Sequence, residues 1–256
     1  MTAGDPFGLK AGSFSVRGSL LTGVTLAARD AGPILGVCLA FAIPAGALQV
    51  LVPGDDLRSM GQSARLSNLF EVLVGIIGSQ ALVARLIARA EGRRLSLGQA
   101  FSVSLRTWSR CFGARFRAGL AILAFTLLLI VPGVWKYVQL VFVTTAVLRS
   151  TGDPLALSQH LVSGRWWPVF GLSLLIGVAC FTPAFVGVAL FAVALELVHS
   201  PPVIGEILGE WVFGVAQVIG SSVTLVAFYG LHRDTGTPLG PLPFAAGHRT
   251  DELAGT

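Results

Sequence analysis

Long apolar runs recur along this chain, and three of them end in the same punctuation, Arg-x-x-Gly-x-x-Leu: Arg89, Gly92, Leu95; then Arg149, Gly152, Leu155; then Arg233, Gly236, Leu239. A helix needs roughly twenty apolar residues to cross a ~30 Å hydrocarbon core, and only helices and closed barrels satisfy their backbone there. The punctuation divides the 256 residues into three similar units, each a pair of apolar segments that leaves and returns to one side of a membrane. Arginine at a returning span end meets headgroups, and glycine three residues later ends a helix because it accepts a positive φ. Topology alone produces such a pattern, and so does a threefold internal repeat. Pro44, Pro132 and Pro183, one near the outer end of the first span in each unit, fit the repeat.

Composition agrees with the runs. Charged residues are 12% and hydrophobic residues 54% of the chain, where a soluble domain carries about 25% charged residues. The expected class is all-α, a polytopic membrane protein with six transmembrane helices in three hairpins and amphipathic helices on the inner side. The spans fall near Gly32–Val52, Leu69–Ala88, Ala118–Val131, Val134–Leu148, Val169–Leu195 and Trp211–Leu231. This divides the chain into a cytoplasmic N-terminus with an amphipathic helix over 1–31, a membrane domain over 32–231, and a cytoplasmic tail over 232–256, expected to be disordered. Met1 to Ser19 holds Lys10 and Arg17 but no apolar stretch directly behind them, so the first segment is expected to stay as a span. The third and fourth spans reach only about 21 to 23 Å each. A Pro132-Gly133 break joins them, and they either cross or form a re-entrant hairpin.

Lys and Arg concentrate in cytoplasmic loops. With both termini inside a bacterial inner membrane, every one of the 18 basic residues except Arg58, Arg65 and Lys136 falls on the inner side. The net charge of +5 therefore points to anionic headgroups at the inner face of the bilayer rather than to nucleic acid. From Ser96 to Phe112 the positions Leu97, Phe101, Leu105, Trp108 and Phe112 recur every three or four residues between polar ones, the pattern of an amphipathic helix. Weaker versions precede the first and fifth spans. Such helices lie on the membrane surface or pack on the spans.

No catalytic arrangement stands out. The four histidines are scattered, no cysteine pair suggests a disulfide, and no phosphate-binding loop or nucleophile elbow occurs. A non-enzyme without a cofactor is expected. Charges at membrane depth are functional candidates by default, which singles out Lys136 and Glu71; both sit near the outer interface, where they snorkel or pair with each other. Gly214, Gln217, Ser221 and Thr224 share one face of the sixth span, and Gly75 and Ser79 share one with Glu71, as helix packing in lipid favours. Trp166 and Trp167, beside Arg165, form an inner-headgroup anchor.

The stretch Leu127 to Gly171, LLLIVPGVWKYVQLVFVTTAVLRSTGDPLALSQHLVSGRWWPVFG, resembles a bacterial membrane-domain family found alone as uncharacterised six-span proteins or fused to glycerophosphodiester phosphodiesterases. Pro132, Gly133, Trp135, Ser158, Gly164, Trp166 and Trp167 carry the resemblance, and Tyr229-x-Leu231-x-Arg233 is similar to the family's last span end. Where the family has a basic residue this chain has Gln139, with Lys136 three residues earlier on the same helix face. The phosphodiesterase is a separate soluble barrel, for which the residues after Leu231 leave no room, so the resemblance implies a membrane domain without that activity. The sequence favours a scaffold, a membrane organiser or a component that binds a protein partner or a second copy of itself. A transporter or lipid-handling protein is the alternative, and it requires a cavity near the prolines.

Overall fold

The computed structural model describes residues 14–51, 71–150, 152–197, 199, 201–236 and 239. The N-terminal residues up to Ser13, residues 52–70 with Arg58 and Arg65, and the residues beyond Leu239, where a disordered tail is expected, lie outside the described residues. Among those described there is no strand, and the chain is an all-α polytopic membrane protein. Helices α1 (Val16–Arg29) and α2 (Ala31–Leu51) are followed by a π-helical turn (Glu71–Gly75) that leads into α3 (Ile76–Ala90). Then come α4 (Leu97–Leu128), α5 (Ile130–Leu140), α6 (Val143–Arg149) and α7 (Pro154–Val162). Helix α8 (Trp166–Ile176) passes through a second π-turn (Gly177–Phe181) into α9 (Thr182–Leu197), and α10 (Pro202–Thr235) closes the fold. Leu73–Ala90, Leu97–Leu128, Ile130–Arg149, Trp166–Leu197 and Val203–Thr235 are each long and apolar enough to cross a membrane, and α1 with α2 forms a sixth such element bent by 78°.

The amphipathic stretch before the third span is not a separate helix. It continues into that span as α4, about 48 Å long, because no helix-ending signal interrupts the chain between its capping box (Ser96 with Gln99) and Leu129. Arg115 and Arg117, which fall between the expected amphipathic helix and the expected span, therefore sit inside one continuous helix. The chain turns at Leu129, which is extended (φ −165°, ψ 147°), rather than at Pro132-Gly133. Pro132 instead occupies the first turn of α5, where its missing N–H breaks no hydrogen bond. Gly133 is required for the close approach of α4 and α5: a Cβ there would fall on the side chain and Cα of Thr126.

The fourth span is broken between α5 and α6, at Val141 and Phe142. Ser158 of α7 fills the break, donating to the Gln139 carbonyl at 2.8 Å and accepting from the Phe142 N–H at 3.3 Å. Leu161 and Val162 of the same helix are buried in the core. Thus α7 packs on the spans as an internal element.

Helix α10 is the axis of the fold. Helix α2 runs along it, with Cys38 against Gly214 and Gly46 against Ile207, and α1, bent by 78° from α2, meets it where Gly23 faces Val223. Helices α8 and α9 run along it too, with Ile176 against Gly220, Val188 against Gly209 and Leu195 against Gly205. Both series descend along α10 as they ascend along their own helix, so both partners are antiparallel to it. Small residues at these crossings let backbones approach closely, which is how helices associate in lipid. Hydrogen bonds also cross from α10 to α1 and α2: the Ser222 hydroxyl donates to the Gly23 carbonyl at 2.8 Å, and the Trp211 indole N–H donates to the Leu35 carbonyl at 3.1 Å. Ser221 and Thr224 bond back to their own helix, at Gln217 and Gly220.

Candidate functional site

Two places in the fold gather polar side chains. The first is a chamber of about 380 Å³ between α2, α3, α4 and α10, bounded by both π-turns through Gly75 and Phe181. Its apolar wall includes Val37, Cys38, Phe41, Leu82 and Phe213, and its polar lining is Arg115, Glu210, Gln217 and Ser79. Gly75, Gly78 and Gly214 also line it, and a Cβ at Gly78 would fall on the Phe41 ring of the opposite wall. Glu210 and Phe213 also line a second cleft, about 750 Å³, between α9 and α10, whose walls are Val188, Phe191, Leu195, Leu208 and Val212 with Glu196 and Glu206 at its polar margin. An apolar cleft therefore adjoins a chamber with a guanidinium, a carboxylate, an amide and a hydroxyl. π-turns in helices recur at functional sites because they displace side chains from the regular register.

The second place is the end of the bundle where α10 finishes. Asp30, at the α1–α2 corner and only 2% exposed, binds Arg85 at 2.5 Å and Arg89 at 3.3 Å. Arg149 binds Glu91 at 3.1 Å, and its guanidinium lies 5.5 Å from the centre of the Tyr229 ring, while the Tyr229 hydroxyl is 3.1 Å from the same Glu91 oxygen. Arg165 pairs with Asp234, which also accepts the Phe14 N–H at 3.0 Å. Together these contacts tie the start of α1, the α1–α2 corner and the ends of α3, α6 and α10 to the start of α8. All of these are positions that the distribution of basic residues assigns to one side.

The Arg-x-x-Gly-x-x-Leu copies are not equivalent. Gly92 and Gly236 end their helices with φ of +74° and +65°, whereas Gly152 has no positive φ and donates its N–H to Ser150 Oγ. Gly164 supplies the third left-handed turn, ending α7 with φ +76°. In the second copy the helix end is held instead by Arg110, which donates to the Ser150 and Gly152 carbonyls. The three prolines also differ in role: Pro44 lies inside α2, Pro132 in the first turn of α5, and Pro183 just beyond the second π-turn.

The other singled-out residues fall into two groups. Lys136, half-buried, donates to Gln139 Oε1 at 3.3 Å and stands 5.6 Å from the Phe125 ring centre, a cation–π contact. Glu71 begins the first π-turn, and its side chain lies outside the described residues. Trp135, Trp166, Trp167 and Phe170 form one aromatic cluster, with Trp135 and Trp166 stacked at 4.8 Å. Trp135, placed near the outer end by its position in the sequence, thus sits beside the anchor expected at the inner end. Arg115 was missed as a site residue because a basic residue between apolar runs reads as a topological signal, and nothing in the sequence marks a π-turn.

Cys38, Cys111 and Cys180 are free thiols, and among the described residues no group of three His, Cys, Asp or Glu side chains is placed to hold a metal. No family model, curated protein or solved structure matches the chain.

Proposed function

We propose that this protein binds an amphiphile within the membrane, as a lipid-handling or small-molecule-handling component that acts without catalysis. One observation carries the reading: Arg115 of α4 lines the same chamber as Glu210, Gln217 and Ser79, and that chamber shares Glu210 and Phe213 with a larger apolar cleft. A ligand with a small polar head and an apolar tail matches the pair, since membrane sites bury the tail against apolar walls and orient the head with a few polar groups. A charged side chain in an apolar span is costly unless it has work to do. The chamber lies beside Pro44 and Pro183, the neighbourhood a transport path requires.

A scaffold is the second reading, favoured by the glycine crossings of α10 with α2 and α9. Close packing serves either role, whereas a polar chamber has no use in a scaffold. The arginine-rich end is the cytoplasmic face of an inner membrane in this proposal, following the bias of basic residues.

The test is retention of ligand. The full chain, extracted with its surrounding lipid, is washed into detergent and its bound small molecules are identified by mass spectrometry. Wild-type protein is expected to keep an amphiphile that Arg115→Leu and Gln217→Leu each lose while remaining folded. Retention of the same molecules by all three would leave the scaffold.

A further inference from the structure

Four arginines, Arg85, Arg89, Arg93 and Arg94, line a single pocket of about 360 Å³, closed on one side by Leu95. Local chain geometry brings them together. Arg85 and Arg89 are one turn apart on α3, and the helix ends at Gly92, whose positive φ reverses the chain. The Arg93 N–H donates to the Ala88 carbonyl at 2.8 Å and the Gly92 N–H to the Arg89 carbonyl at 3.1 Å, the paired closure of a glycine-terminated helix. Arg93 and Arg94 are thereby returned to the mouth of the pocket formed by Arg85 and Arg89.

The charges there do not balance. Asp30 is the carboxylate that engages this group, through Arg85 and Arg89. Glu91, the nearest acid in sequence, is taken by Arg149 and Tyr229. Arg85 and Arg89 spend further donors on the Leu95 and Arg29 carbonyls, which fixes their guanidinium planes. Arg93 and Arg94 are exposed, and among the described residues neither has an ion-pair partner. Four guanidiniums against one carboxylate leave three positive charges around a preformed space.

From this geometry we infer a binding site for a phosphate-bearing anion, held by Arg93 and Arg94 over the fixed pair Arg85 and Arg89. Guanidinium groups bind phosphate oxygens through paired charge-assisted hydrogen bonds. The pocket has room for a phosphate with a glycerol attached. A phosphatidylglycerol headgroup and a free phosphate share this chemistry. The site is independent of the α2–α10 chamber, and either stands if the other fails.

The test uses the full chain in detergent micelles, with retained lipid counted by native mass spectrometry. Phosphatidylglycerol and phosphatidylcholine are offered separately, and inorganic phosphate is offered alone and as competitor. The double variant Arg93→Gln with Arg94→Gln removes exposed groups that hold no fold contact; Arg17→Gln with Arg106→Gln removes the same charge elsewhere on the surface. Both lipids carry the phosphate, but the choline cation is repelled by the surplus guanidinium charge, so wild type is expected to prefer phosphatidylglycerol over phosphatidylcholine by about tenfold. The pocket variant is expected to lose that preference and the control variant to keep it. Phosphatidylglycerol that inorganic phosphate does not displace marks the lipid as ligand; arginine-dependent binding of inorganic phosphate marks a soluble phosphate compound. Equal retention of both lipids with no phosphate binding, or equal losses in the two variants, would overturn the site.

Discussion

Trp166 stacks on Trp135 with ring centres 4.8 Å apart, and its indole N–H donates to the Trp135 carbonyl at 3.4 Å. Trp166 follows Arg165, which pairs with Asp234 at the end of α10. Further along the same broken span, Phe142 meets Phe228 at 6.0 Å and Arg149 meets Tyr229. Phe142 and Arg149, about 10 Å apart along the segment, thus meet neighbouring residues of α10. The α5–α6 segment crosses the end of α10 instead of running beside it.

That crossing predicts where the α4–α5 turn emerges. Leu129 is about 9 Å of helix from Trp135, too near the arginine-rich end to reach the opposite end of α10. In a chain whose three cysteines are replaced by alanine, Val131→Cys and Ser163→Cys are expected to react with a membrane-impermeant thiol reagent from the same side only. Labelling of Val131→Cys from the opposite side would show a full crossing.

Asp30 is buried between two arginines, so removing its charge strands them. Asp30→Ala is expected to cost about 3 kcal/mol, read as lowered thermal stability in detergent. Arg117, whose contact with Asp153 is exposed on both sides, supplies the comparison: Arg117→Ala is expected to change stability by less than about 1 kcal/mol.

Glycines in this fold serve two purposes, and alanine separates them. At Gly23 a Cβ would fall on the Val223 backbone, so Gly23→Ala must push α1 off α10, an overpacking cost of about 1–3 kcal/mol. At Gly92 nothing lies within 4 Å, and alanine meets only the left-handed backbone, about 1 kcal/mol. Unfolding midpoints should rank wild type above Gly92→Ala and Gly92→Ala above Gly23→Ala.

Ser158 joins two backbone groups that the break at Val141 and Phe142 leaves open. Ser158→Ala would bury an unpaired carbonyl and N–H at a cost of about 1–3 kcal/mol. Faster amide hydrogen exchange at Phe142 in that variant is the direct sign.

Much of the architecture was legible because it depends on local signals. The apolar runs gave most of α3 and the second two thirds of α10, the apolar periodicity from Ser96 marked the start of α4, and the Gly after Arg89 and after Arg233 ended their helices as glycine should. Of the basic residues assigned to one side, Arg85, Arg89, Arg149 and Arg165 meet carboxylates at one end of the bundle. Other features were illegible for physical reasons. Run length measures thickness but carries no direction, so the transverse path of α5 and α6 could not be read. The role of Ser158 depends on a break in another helix, and the chamber is lined by four separate helices. Arg115 became a site residue only once α4 was seen to be continuous.

The most direct measurement is crosslinking by a phospholipid carrying a photoactivatable group on its acyl chain, with the full-length protein in bilayer nanodiscs and adducts mapped by peptide mass spectrometry. Adducts at Phe213 and Val188, depleted by Arg115→Leu while those on the lipid-facing tip at Leu128 stay constant, are the predicted result. Adducts confined to Leu128 and other outward-facing residues, with Phe213 and Val188 unlabelled, would contradict an amphiphile site inside the bundle.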